Sequence, residues 1–150
     1  WLGLLGEAEE SRTVYEEFIN EQNPTEELKN NLIKEIGDVC WYATNISVIL
    51  DLDLNKVFDL GGNFYEKLNS TKSIVAYSEN IKKYYRDNKP IDKEEAQSVL
   101  NLLISGMFLS LERFDFVSLD IVLEKNYNKL IKRRETNTLN GDGDNREENG

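Results

Sequence analysis

Glu7 and Glu10 are three residues apart, and so are Glu35 and Asp38. On a helix that spacing places each pair of carboxylates side by side on one face. With 28 acids in 150 residues such pairs arise often by accident, so their position on the helix matters more than their spacing. At 100° per residue, Leu28, Leu32, Val39, Tyr42, Ile46 and Leu50 form one apolar arc, with Glu35 at its centre and Asp38 at its edge. Leu4, Ala8, Val14, Tyr15 and Phe18 form a second arc, with Glu7 inside it and Glu10 just outside. Each helix thus aims one carboxylate at the core and carries a second a turn away.

An unpaired buried carboxylate costs several kcal/mol, so converging acids need a neutralising partner. The chain has no histidine, and Lys34 is expected to point away from the stripe. A divalent cation held by Glu7, Glu10, Glu35 and Asp38 fits the charge, and all-oxygen donors select hard cations such as Mg²⁺, Mn²⁺ or Ca²⁺. A rotated first helix, with Glu7 and Glu10 in water and Glu35 capped or salt-bridged, remains the alternative.

The elements that must position these acids read as helices at roughly 1–21, 25–51, 54–67, 71–87, 92–113 and 118–134. Pro24 and Pro90 sit where two of them begin, each followed by early acids. No sustained strand alternation occurs, so the expected class is all-α, with one domain over 1–134. From Thr136 the chain turns to glycine and short polar residues, a loop or frayed terminus by composition. A weak repeat aligns the stretch from Ile49 to Val57 with that from Phe114 to Val122, an offset of 65 that pairs 1–68 with 72–134. It places Leu100 opposite Glu35 and Leu103 opposite Asp38. Chance likeness of two amphipathic hairpins is its rival.

Composition narrows the function. A net charge of −10 argues against a nucleic-acid polymer as partner, while leaving room for a small phosphorylated ligand beside a metal ion. Without histidine there is no Ser-His-Asp or Cys-His nucleophile system and no histidine zinc site. The single cysteine, Cys40, leads to the expectation of a reducing, cytoplasmic setting. No apolar stretch approaches a membrane span, so no membrane partner is expected. No signal-peptide pattern is visible, and the opening at Trp1 in mid-helix suggests an upstream piece.

Gly3-Leu4-Leu5-Gly6-Glu7-Ala8-Glu9-Glu10, followed by Lys34-Glu35-Ile36-Gly37-Asp38-Val39-Cys40-Trp41-Tyr42, resembles the MazG-type all-α NTP pyrophosphatases. These carry Glu-x-x-Glu, a spacer, then Glu-x-x-Asp running into a Val-x-Trp-Tyr helix. The likeness covers about the first 57 residues and resumes at Asn126-Tyr127-Asn128-Lys129-Leu130-Ile131-Lys132-Arg133, similar to the family's Asn-x-x-Lys-Leu-x-x-Arg. It departs at Glu9, where the family often has glycine, and over roughly 69–111, which short members lack.

The resemblance implies a four-helix-bundle core with an inserted or duplicated helical hairpin. It implies Mg²⁺-dependent hydrolysis of a nucleoside triphosphate to the monophosphate and pyrophosphate. Glu7, Glu10, Glu35 and Asp38 would then be the metal-binding, catalytic residues. Asn126, Lys129 and Arg133 would contact phosphates; the alternative is an exposed basic end to the last helix, which suits its dipole. Tyr42 would lie beside the base or sugar, or be a core aromatic; Trp41 points elsewhere. Gly143-Asp144-Asn145-Arg146 resembles a closing segment of some members, so residues 135–150 would form a tail or a lid bringing Arg146 to the phosphates. Asn63 and Lys67 form an earlier copy nearer the usual distance from Asp38, but lack the arginine. Short members dimerise; a homodimer, a higher homo-oligomer or an intrachain pseudo-dimer would follow. The rival from another class is a non-catalytic helical scaffold or interaction protein. A Ca²⁺ module lacks its loop, since Asp142-Gly143-Asp144-Asn145 is too short.

Overall fold

The computed structural model describes residues 1–61, 79 and 81–136. Among these the chain is helical, with no strand. Helix α1 spans Leu2–Asn20 and α2 spans Glu26–Leu50. The short α3 covers Leu54–Val57; residues 81–87 are helical; α4 is Lys93–Leu111 and α5 is Leu119–Glu135.

The starts follow local chemistry. Thr25 caps α2, its hydroxyl accepting from the Leu28 amide at 3.1 Å, with Glu26 and Glu27 favourably placed in the first turn. Pro24 therefore stands just outside the helix rather than in its first turn. Asp92 accepts from Glu95 N at 3.1 Å and Ser118 from Ile121 N at 3.2 Å, capping α4 and α5 in the same way. Helix α2 ends at Asp51, whose φ of 56° is a left-handed conformation that aspartate tolerates better than most residues.

The helix expected over 54–67 is shorter in its described part. After Val57 the α4 side chain of Asn101 donates to the carbonyls of Lys56, Val57 and Asp59, at 2.9, 3.2 and 2.8 Å. A tertiary donor satisfies groups that a continuing helix would have bonded itself. Residues 62–78, which include Asn63 and Lys67, lie outside the described residues, as does 80.

Helix α2 is the hub, in contact with α1, α3, α4 and α5. Its Leu32, Ile36, Val39 and Ala43 join Leu4 and Phe18 of α1, Val57 of α3, Leu100 and Ile104 of α4 and Val122 of α5 in one core. Because neighbours press on it from several sides, α2 also buries Ile33, Gly37, Cys40 and Ser47, outside the single stripe read from sequence. The caps Asp53 and Ser118 are 65 positions apart, and Val57 and Val122 are both fully buried. Leu100 and Leu103 are core residues. The starts of α2 and α4 do not keep that offset, since the caps are Thr25 and Asp92.

Candidate metal centre

The seam between α1 and α2 brings Glu7, Glu10 and Glu35 together, with one carboxylate oxygen of each within 4.8 Å of the others. Glu35 is buried, Glu7 half-buried and Glu10 exposed, the order expected from their positions on the two helices. Oxygens on opposite sides of a hexacoordinate Mg²⁺ stand about 4.2 Å apart, and those around Ca²⁺ about 4.8 Å. Three oxygens cannot all be opposite one another, and neighbours on one Mg²⁺ stand about 2.9 Å apart, so a trio held within 4.8 Å would have to draw together around a hard cation. Exposed Glu10 has the freedom to supply that movement.

Lys34 does not point away. Its ammonium stands 3.3 Å from Glu35 Oε1, so its long stem brings the charge round to the buried acid and offsets part of it. Asp38 is not among the three converging acids. Its Oδ1 accepts from Lys129 Nζ, and from Asn126 Nδ2 at 3.4 Å, both on α5. The Lys129 and Asp38 side chains are 12% and 19% exposed, which makes this a largely enclosed pair.

Gly37 explains how α5 comes so close. A Cβ at that position would stand 3.1 Å from Asn126 Nδ2 and 3.2 Å from Asn126 Cβ. The glycine inside Glu35-Ile36-Gly37-Asp38 thus makes room for the side chain that meets Asp38. Cys40, buried one turn on from Gly37, has its thiol pushed up to about 12, chiefly by burial and further by the Asp38 charge.

Tyr42 is half-buried and its ring lies over Gly3, where a Cβ would stand 2.4 Å from Tyr42 Cε1. It locks the start of α1 onto α2. Trp41 meets that ring edge-on at 5.0 Å and is 40% exposed. Arg133 is half-buried in the last turn of α5, four residues beyond Lys129, with its Nε shielded from solvent. Arg146 lies outside the described residues.

Two clefts flank the seam. One, about 330 Å³, is lined by Leu5, Ala8, Tyr15, Ile36, Leu103 and Met107 among others, on the opposite flank of the α1 stripe from Glu7 and Glu10. The other, about 220 Å³, lies between α2 and α5 and is lined by Asn30, Asn31, Ile33, Lys34, Lys125, Asn126 and Lys129. Lys34, Lys125 and the two asparagines of α2 are members that the motif reading missed. The four-residue steps from Asn30 to Lys34 and from Lys125 to Lys129 were the available signal. No family model, curated protein or solved structure matches the chain.

Proposed function

We propose that this chain is a Mg²⁺-dependent hydrolase that cleaves nucleoside triphosphates to the monophosphate and pyrophosphate, in the manner of the MazG-type enzymes. The observation that carries the reading is the convergence of Glu7, Glu10 and Glu35, from two helices, into one group of oxygen donors that could hold a hard cation. A cation bound there would supply the positive charge that lets water approach phosphorus ringed by negative oxygens. Glu7, Glu10 and Glu35 bind and orient, and a carboxylate oxygen left over accepts the proton of the attacking water. Lys129, Asn126 and Arg133, on the face of α5 that meets α2, stabilise negative charge on the departing pyrophosphate. Asp38 holds Lys129 in place for that role and joins the metal ligands if the pair opens. Leu100 and Leu103 take the places of Glu35 and Asp38 in a pseudo-twofold partner half, leaving one site per chain.

A non-catalytic helical interaction protein is the reading favoured by the ion pairs at Glu35 and Asp38, which neutralise those acids without a metal. A pyrophosphate-release screen over canonical and modified nucleoside triphosphates with Mg²⁺ separates the two. Release that disappears in Glu35→Gln is expected. No release from any triphosphate, with the protein folded, places the interaction reading ahead.

A further inference from the structure

The cleft between α2 and α5 is chemically unlike the rest of this acidic chain. Three ammonium groups and three carboxamides line it, from Lys34, Lys125, Lys129, Asn30, Asn31 and Asn126, and among the described residues no acid does. Carboxamide N–H and ammonium groups are the donors that a tetrahedral oxyanion takes. The lysines differ in what holds them. Lys129 bonds Asp38; Lys125 donates to the neutral Asn30 Oδ1 at 2.8 Å; Lys34 stands 3.3 Å from Glu35 Oε1. Lys34 therefore belongs to two places at once, since it lines the cleft and neutralises a member of the acidic trio.

We propose that this cleft is a phosphoryl-anion pocket coupled to the acidic trio through Lys34, so that a divalent cation and a phosphate group bind with positive cooperativity. The coupling rests on the metal reading above. A cation at Glu7, Glu10 and Glu35 takes over the neutralisation of Glu35, and Lys34 swings its charge into the cleft. An anion in the cleft draws Lys34 off Glu35 and so uncovers a ligand for the cation. Linkage requires the two effects to be equal. Lys125, which touches no acid of the trio, contributes to the anion alone.

The test measures Mn²⁺ affinity by paramagnetic resonance of the free ion, on the full chain, with and without inorganic phosphate. Inorganic phosphate is expected to tighten Mn²⁺ binding by about fivefold, the low end of typical coupling. Lys34→Met should bind Mn²⁺ more tightly than wild type without anion and lose the phosphate effect. Lys125→Met, at an exposed position, should keep wild-type Mn²⁺ affinity while losing the phosphate effect. If a non-hydrolysable triphosphate shows the Lys125-dependent coupling and inorganic phosphate does not, the pocket seats the substrate's phosphate tail rather than a free anion. Mn²⁺ binding that is indifferent to both anions overturns the coupling and leaves the metal site standing. Absence of Mn²⁺ binding overturns the metal reading and the coupling together.

Discussion

Glu35 and Asp38 stand one turn apart on α2, yet the two seams of that helix treat them differently. On the α1 side Glu35 meets two more carboxylates, and Lys34 reaches round from its own helix to temper the charge. On the α5 side Asp38 meets a lysine and an asparagine that close over it. Like charges gathered in a partly buried seam cost stability unless an ion joins them, while a carboxylate already bonded to two donors is satisfied as it stands. The first seam gathers like charges. The second is built to hold still.

The comparison breaks most visibly at Glu35. Glu35→Gln should lower pyrophosphate release by about 100-fold or more, a loss of ~2.7 kcal/mol of transition-state stabilisation. It should also abolish the Mg²⁺-dependent rise in melting temperature. That rise amounts to ~2.7 kcal/mol at 100 times Kd in the unaltered chain, or roughly 5–10 °C for a domain of this size. An equal Mg²⁺ shift in both proteins, followed by differential scanning fluorimetry, would place the cation elsewhere.

The α5 seam should respond in stability. Lys129→Met leaves the enclosed Asp38 carboxylate without its ammonium and should cost about 1–2 kcal/mol, read by urea titration. Mg²⁺ stabilisation should survive in this variant; its loss would show that the two seams act as one site. Gly3→Ala tests whether the register of α1 on α2 matters, because the new methyl collides with the Tyr42 ring. Overpacking there should cost about 1 kcal/mol net of the better helix propensity. Weakened Mg²⁺ affinity should accompany that loss, since Gly3 lies one turn before Glu7. An unchanged Mg²⁺ titration would separate the packing from the site.

An effect confined to alkaline pH lies at Cys40, beside both seams. Its folded value near 12 is above the ordinary thiol value of 9, so the unfolded chain ionises first. Stability from this group is fully present below about pH 9 and falls as the pH rises toward 12. Cys40→Ala should flatten that alkaline part of the stability profile in chemical denaturation at several pH values. An unaltered slope would assign the alkaline loss to other groups.

The aim of Glu7 and Glu35 was legible because helical periodicity alone sets direction, and the apolar arcs of α1 and α2 are regular enough to place an acid against them. Pro24 and Pro90, each followed by early acids, marked the starts of α2 and α4, although the caps themselves proved to be Thr25 and Asp92. The partner of Asp38 was not legible. It depends on where α5 lands, 88 residues away along the chain, and a helical wheel says nothing about which neighbour arrives. The reach of Lys34 was missed for a different reason: a wheel fixes Cα direction, while four methylenes carry the ammonium well off it.

By itself, then, the sequence determined the all-helical class, the approximate starts of α2 and α4 and the inward aim of two carboxylates, since all of these follow from interactions within a few residues. The tertiary structure decided which acids meet. Gly37 lets α5 press Asn126 and Lys129 onto Asp38, and Tyr42 seats α1 through Gly3. That long-range packing reduces four candidate ligands to a converging three and adds a basic cleft at their side.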